Sequence, residues 1–165
     1  MEKLNKKLPN FTQAISQLIA QPSISSSQAS WDQSNEGVIN LLSAWFETLG
    51  FTVTIQAVPH AKGKFNMLAK LGTGTGGLLL AGHSDTVPFD ENSWLSDPLK
   101  ITDNDNKLFG LGSCDMKGFF AFVIEALKTI DRGKLTKPLR ILATADEETT
   151  MSGAQQISEQ KNFKP

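Results

Sequence analysis

Short apolar runs alternate with longer amphipathic segments along the 165 residues of this chain. The runs "GLLLAG" (77–82) and "LRILATA" (139–145) are too short for helices and are typical of buried strands. In contrast, residues 11–20 and 36–49 carry apolar side chains at the three- and four-residue spacing of a helix face. This alternation predicts an α/β domain with a largely parallel sheet covered by helices.

The same patterns predict the order of elements along the chain. We expect helices at 11–20 and at 36–49, the second ending at Gly50; strands at 51–58, 65–72 and 77–82; a hairpin at 100–110; a helix at 116–130; a strand at 139–145; and a helix at 150–160.

A glycine cluster, "GTGTGG", separates two of these strands. Its glycines at 72, 74 and 77 have the spacing of a dinucleotide-binding motif. That motif requires a helix directly after the glycines, because the helix N-terminus holds the pyrophosphate. A strand-like leucine run follows here instead, so we reject nucleotide binding and predict a hairpin turn.

Composition excludes several classes of partner. The formal net charge is −1, which gives no reason to expect nucleic acid or an anionic membrane as a partner. No apolar run is long enough to span a bilayer, and the N-terminal residues lack the apolar segment of a signal peptide. Cys114 is the single cysteine, so no disulfide forms within the chain. We therefore expect a cytoplasmic protein.

Three groups of polar residues follow strand or loop ends. His83 and Asp85 follow the first leucine run, Asp115 lies in "GLGSCDMKG", and Glu147 and Glu148 follow the second run. Ligand sites of open α/β sheets gather at the carboxyl ends of strands, so these side chains are expected to meet in one crevice. An imidazole with several carboxylates and no thiolate cluster suits Zn²⁺ or a similar divalent ion.

The residue types also suggest different roles within such a site. Asp85 could hold the tautomer and orientation of His83, and the two oxygens of Asp115 could bridge two metals. The like-charged pair Glu147–Glu148 is costly without a cation, and a metal lets one member bind while the other acts as a base.

Each group can also be interpreted as purely structural. A lone His-x-Asp is commonly a surface pair, Asp115 could cap the helix that follows it, and the two glutamates could form the solvated first turn of a helix. Cys114 is predicted to be a small packed residue, with metal ligation as the lesser alternative. His60 is expected to be exposed and uninvolved, whereas Lys117 could pair with a carboxylate or hold its loop.

Three motifs together resemble a known family. "GHSDTVP", "GLGSCDMKG" and "ATADEETTMSGA" resemble the N-terminal motifs of the dinuclear zinc aminoacylases and carboxypeptidases, the M20 metallopeptidases. Supporting stretches such as "KFNMLAKLG" and "DMKGFFAFVIEALK" extend the resemblance over nearly the whole chain, from about residue 8 onward.

The resemblance implies a role for each candidate residue. His83 would bind one metal, Asp115 would bridge both metals, and Glu148 would bind the other. Asp85 would orient His83, and Glu147 would be the general base. The family would also place a cis peptide bond directly after the bridging aspartate.

The resemblance further implies a three-layer α/β/α fold of the zinc-dependent exopeptidase type. It implies two Zn²⁺ or Co²⁺ ions, hydrolysis of a small N-acetylated amino acid, and a homodimeric parent protein. Family members carry two more metal ligands downstream and a separate dimerisation and lid domain. We therefore expect residues 1–165 to be the N-terminal part of the catalytic domain, incomplete at its C-terminal side and inactive alone. Desuccinylase, peptidase or aminoacylase activity within the family, and a non-catalytic remnant, are the alternatives.

Overall fold

The computed structural model describes residues 8–160. Residues 1–7, which bear on the absence of a signal peptide, lie outside this range, as do 161–165. The described helices are α1 (Phe11–Ile19), α2 (Glu36–Thr48), α3 (Lys117–Thr129) and α4 (Ser152–Ser158). The strands are β1 (Thr52–Ala57), β2 (Phe65–Leu71), β3 (Leu78–His83), β4 (Thr102–Asn104), β5 (Lys107–Phe109) and β6 (Leu139–Thr144). Every predicted helix and strand is present, with ends shifted by a few residues.

Residues that favour helix termini flank the start of α1 and the end of α2. The side chain of Asn10 accepts a hydrogen bond from the backbone of Gln13, and the Gln13 side chain accepts one in return, which forms a capping box before α1. Gly50 follows α2 with a φ of 88°, the left-handed conformation that glycine adopts without steric cost. None of the described helices is long and apolar enough to cross a membrane.

The main sheet has four strands in the order β1-β2-β6-β3. Among the described strands of this sheet, only β3 and β6 run parallel; β1 pairs with β2, and β2 with β6, in antiparallel fashion. The prediction of a largely parallel sheet is therefore wrong for the described residues. The α/β class is confirmed, and mixed sheets of this kind are common among α/β proteins.

The glycine cluster connects two strands that are not neighbours. Because β6 lies between β2 and β3, the "GTGTGG" stretch crosses the N-terminal end of β6, and the predicted hairpin turn is wrong. A Cβ atom on Gly77 would lie 2.0 Å from the carbonyl oxygen of Pro138, just before β6. A strand does follow the glycines, as the argument against nucleotide binding requires. The separate β4–β5 hairpin forms as predicted.

One face of the sheet forms the main core. Side chains from β2 and β6 on this face are fully buried in one cluster with side chains of α1, α2 and α3, among them Met67, Ala69, Ile141 and Ala143. On the opposite face, Asn66 at the start of β2 donates to the backbone carbonyl of Gly153 in α4 at 2.8 Å. Helices therefore contact both faces, in agreement with the three-layer fold that the resemblance implies.

Candidate metal centre

The parallel strands β3 and β6 end side by side. His83 pairs in register with Thr144, the last residue of β6. The amide of Ser84 donates to the carbonyl of Thr144 at 2.9 Å, which extends the pairing by one residue. Residues that directly follow either strand consequently leave the sheet from the same edge. This places the groups at 83–85 and 147–148 together, as the sequence predicts.

Asp115 reaches this edge from the loop before α3. A Cβ atom on Gly82 would lie 2.9 Å from side-chain atoms of both Met116 and Phe119, so glycine permits the close approach of α3 to β3. The peptide bond between Asp115 and Met116 is cis, as the resemblance implies. The Asp115 carboxylate then lies 3.0 Å from the imidazole of His83, measured between Oδ1 and Nε2.

The glutamates complete the cluster around the same imidazole. Glu147 Oε2 lies 3.8 Å from Nε2 of His83. His83, Glu147 and Glu148 each offer one ligand atom, and these three atoms lie within 4.8 Å of one another. His83 is buried, whereas the Asp115 and Glu147 side chains are 77% and 42% exposed. The carboxylates therefore face solvent, where a substrate can reach them.

Asp85 lies beneath the cluster and contacts two of its members. The Nδ1 atom of His83 is 3.1 Å from the backbone carbonyl oxygen of Asp85 and 3.6 Å from its carboxylate Oδ1. The other carboxylate oxygen accepts a hydrogen bond from the amide of Glu148 at 3.1 Å. Asp85 is fully buried, and its Oδ1 has no hydrogen-bond partner among residues 8–160. This side chain thus ties the His83 end of the site to the Glu148 end.

The electrostatic environment shifts three pKa values. Burial alone would lower the pKa of His83, but the nearby carboxylates of Asp85 and Asp115 outweigh it and raise the pKa to about 9. Burial would raise the pKa of Asp85, but the adjacent His83 imidazole and the hydrogen bond from the Glu148 amide lower it instead. Burial and the neighbouring carboxylates raise the pKa of Glu148, against the opposing effect of His83.

The donor set fits a divalent metal. Four carboxylates surround one imidazole, and like charges at such distances repel each other unless a cation lies between them. Imidazole nitrogen and carboxylate oxygen are both ligands that Zn²⁺ and related ions accept. With Nδ1 directed at Asp85, the Nε2 lone pair of His83 is the one available to a metal. The residues predicted from the sequence therefore converge on one site.

The structure also decides between the alternatives for single residues. Helix α3 begins at Lys117 without a side-chain cap, so Asp115 is not its N-cap. Helix α4 begins at Ser152, so Glu147 and Glu148 precede it and do not form its first turn.

One of the remaining predictions is corrected, and the two alternatives for Lys117 are decided. Cys114 is exposed, so its prediction as a packed residue is wrong. Lys117 is fully buried and donates to the backbone carbonyl of Gln21 at 2.9 Å, so it holds a loop instead of pairing directly with a carboxylate. His60 is exposed, as predicted.

Sequence reasoning missed the residues that support the Glu147–Glu148 turn. Lys64 is buried and forms ion pairs with Asp32 and Asp146. The only local signals were a lysine next to a predicted strand and an aspartate beside the two glutamates, and neither indicates that they meet. The contact between them joins parts of the chain that are far apart in sequence, so no local pattern could have revealed it.

A mixed sheet that gathers an imidazole and carboxylates at one edge is an arrangement suited to binding a divalent metal ion. Residues 79–165, more than half of the chain, match peptidase family M20/M25/M40. The chain belongs to this family.

Curated relatives share most of the chain's sequence. It is 59% identical over 162 residues to the acetylornithine deacetylases of Proteus mirabilis and Erwinia tasmaniensis, and 58% identical to that of Photorhabdus laumondii. Each alignment covers 98% of this chain but 42% of the relative. The chain therefore spans less than half the length of the curated relatives that it matches.

Solved structures of lower identity share the fold. Human carnosine dipeptidase 1 superposes with a TM-score of 0.74 at 22% identity, over 93% of this chain and 35% of its own. The dipeptidase Dug1p from Saccharomyces cerevisiae gives a TM-score of 0.65 at 21% identity, over 89% of this chain and 34% of its own. Both are similar to this chain in architecture.

Proposed function

We propose that residues 1–165 form the N-terminal, metal-binding part of an acetylornithine deacetylase. The reaction is hydrolysis of N2-acetyl-L-ornithine to L-ornithine and acetate, a step of arginine biosynthesis. The observation that carries this proposal is the convergence of His83, Asp115, Glu147 and Glu148 at one edge of the sheet. The substrate is proposed from the identity of 55–59% to relatives named for that activity.

The site residues divide into metal ligands and supporting groups. His83 would bind one of two Zn²⁺ or Co²⁺ ions, Glu148 would bind the other, and Asp115 would contribute an oxygen to each. The 3.0 Å distance between Asp115 Oδ1 and His83 Nε2 supports binding of both side chains to the same ion. Asp85 would orient two of these ligands, because it contacts His83 and accepts a hydrogen bond from the Glu148 amide.

Glu147 is proposed as the general base. When bound, the divalent ions lower the pKa of the attacking water and polarise the amide carbonyl. Glu147 removes one proton from this water as its oxygen adds to the carbonyl carbon. The carbon–nitrogen bond then breaks, and Glu147 returns the proton to the leaving amine. The 42% exposure of its side chain leaves the carboxylate free to move between water and amine.

The remaining assignments concern the whole protein. We propose a cytoplasmic homodimer that acts on a small N-acetylated amino acid, with no nucleic acid or membrane partner. The isolated 165-residue chain is proposed to have little or no turnover, because the family resemblance assigns further metal ligands to the remainder of a longer protein.

A chimeric enzyme tests the catalytic assignment. Residues 1–165 replace the matching segment of the Proteus mirabilis acetylornithine deacetylase, and hydrolysis of N2-acetylornithine is followed with bound metal measured in the same samples. We expect turnover, and we expect Glu147→Gln to reduce kcat by about 10³-fold while the metal content is unchanged. The exposed Glu47→Gln serves as the matched control and should keep full activity. A folded, metal-loaded chimera without turnover, or an active Glu147→Gln variant, would contradict the assignment.

A further inference from the structure

Lys64 is a buried cation directly before β2. Its side chain is 2% exposed, and its ammonium lies 2.7 Å from Asp32 Oδ1 and 3.0 Å from Asp146 Oδ1. It also donates to the hydroxyl of Ser25 at 3.1 Å and to the backbone carbonyl of Ile24 at 3.3 Å. A buried ammonium is costly unless its donors are satisfied, and these contacts satisfy them.

Asp146 is the residue where the chain turns after β6. Its φ is 58°, in the left-handed region that non-glycine residues adopt at an energetic cost. Its carboxylate accepts hydrogen bonds from Ser25 at 2.8 Å and from Ser152 at 2.9 Å, besides the ion pair with Lys64. Its backbone carbonyl accepts from the amide of Met151 at 2.6 Å. The side chain is therefore held from several directions.

The left-handed turn at Asp146 decides where the next two residues lie. Glu147 directly follows it, with its carboxylate 3.8 Å from the His83 imidazole. Glu148 comes next, and its amide donates to Asp85. If Asp146 returned to an ordinary φ, the chain would leave β6 in another direction, and both glutamates would move away from His83.

Lys64 belongs to a short segment that contacts both sides of the site. Next along the chain, the backbone of Phe65 exchanges hydrogen bonds with Asn35, whose amide group also donates to Ser84 beside His83. Asn66 accepts from the amide of Ala145 at 3.0 Å, directly before Asp146. Residues 64–66 thus hold the two segments that follow β3 and β6, next to His83 and next to the two glutamates.

We propose that Lys64 is a positioning residue: its ion pair with Asp146 holds the left-handed turn that directs Glu147 and Glu148 toward His83. The inference rests on the proposed function of those two glutamates and deepens it. The Lys64 ammonium contacts Asp32, Asp146, Ser25 and the carbonyl of Ile24, none of which is assigned as a metal ligand.

The alternative is that Lys64 only stabilises the fold. Asp32 offers a control, since it lies even nearer to the same ammonium, is 32% exposed, and is outside the Glu147–Glu148 turn. A purely stabilising ion pair would respond to the loss of either aspartate. A positioning role depends on the Asp146 contact alone.

The experiment compares Lys64→Met, Lys64→Arg and Asp32→Asn in the 165-residue chain. Hydrogen exchange of the metal-free protein is followed at the amides of Glu148 and Met151, with the Ser84 amide as the reference within the sheet edge. Co²⁺ titration followed by visible absorption gives affinity and ligand geometry, and urea unfolding gives global stability.

We expect Lys64→Met to increase exchange at Glu148 and Met151 relative to Ser84, and to weaken Co²⁺ binding about 10- to 100-fold, the usual effect of losing a residue that supports a ligand. Lys64→Arg should restore both measurements, because it keeps the cation, and Asp32→Asn should resemble the wild type. Wild-type behaviour of a folded Lys64→Met variant would overturn the proposal, as would equal effects of Lys64→Met and Asp32→Asn.

A double variant separates positioning from stability. Lys64→Met leaves the Asp146 carboxylate buried without its counter-charge, which can prevent folding. Adding Asp146→Asn removes that charge, so the Lys64→Met/Asp146→Asn protein should regain stability in urea while exchange stays fast and Co²⁺ binding stays weak. Recovery of Co²⁺ binding together with stability would overturn the positioning role.

The two readouts distinguish this inference from the proposed function. If the wild-type chain bound no Co²⁺, the metal assignment would fail, while hydrogen exchange of the metal-free chain would still support or overturn the role of Lys64.

Discussion

His83 is in contact with three of the four acidic residues assigned to the site. Its Nδ1 atom faces Asp85, and its Nε2 atom faces Asp115 and Glu147. Asp85 therefore holds Nδ1 in place, while Nε2 is directed at the exposed carboxylates of Asp115 and Glu147. This division of the two ring nitrogens is the arrangement that metal-ligating histidines need, because the held nitrogen fixes the ring orientation.

Replacement of His83 by alanine should remove the single imidazole ligand of the candidate metal site. We expect Co²⁺ affinity to fall by at least about 100-fold, more than for a residue that only supports a ligand. The chain has one other histidine, His60, which is exposed. His60→Ala is the matched control and should bind Co²⁺ like the wild type in the same titration. Equal affinity of the two variants would exclude His83 as a ligand.

Metal binding near neutral pH should release a proton from His83. In the metal-free protein its pKa is raised to about 9, so the ring is protonated at pH 7. Metal must displace that proton, so affinity should rise about tenfold per pH unit from pH 7 toward 9 and level off above. Calorimetry in buffers of different ionisation enthalpy should detect about one proton released per ion at pH 7. Affinity independent of pH between 7 and 8.5 would contradict this coupling.

Among the elements, the parallel pair β3–β6 positions the site, and the glycine-rich connection allows that pair to form. The connection must pass from β2 to β3 across the N-terminal end of β6, close to Pro138. Gly77 lies so near the Pro138 carbonyl that no side chain fits, and its φ is 104°. The glycines that resemble a nucleotide-binding motif therefore serve a strand crossing.

Alanine at Gly77 tests this crossing. Gly77→Ala should suffer both the unfavourable φ and the overlap with Pro138, and should lose more than about 3 kcal/mol of stability. Gly74 has a similar φ of 100°, but no atom of the described part of the chain lies within 4 Å of its Cβ position, so Gly74→Ala isolates the backbone cost of about 1–2 kcal/mol. Urea unfolding measures both variants. Equal losses would show that the close approach to Pro138 has no energetic consequence.

For the molecule as a whole, local patterns predicted which elements exist but not how the strands pair. Local patterns of apolar and turn residues located every α-helix and strand named above, because burial of one face imposes a period on the sequence. Strand order depends on contacts between distant segments. The antiparallel position of β2 beside β6 left no local signature, so the predicted parallel sheet and hairpin turn were wrong.

The candidate site was more predictable than the sheet around it. His83 and the Glu147–Glu148 pair follow the ends of two strands that are parallel neighbours, so the rule about carboxyl ends applied despite the mixed sheet. Asp115 was predicted to join this site because of its position in the motif "GLGSCDMKG". The support from Lys64 and Asp146 could not be predicted, because the two residues meet only after β2 and β6 have paired.

Titration of the purified 165-residue chain with Zn²⁺ or Co²⁺, with hydrolysis of N2-acetylornithine assayed in the same samples, tests the central claim most directly. The claim is that these residues form a divalent metal site that belongs to a larger catalytic unit. It predicts weak or single-ion binding that is lost in the His83→Ala variant, without turnover. Absence of binding, or binding unchanged by His83→Ala, would contradict the metal site. Two tight equivalents with turnover would contradict the need for further ligands.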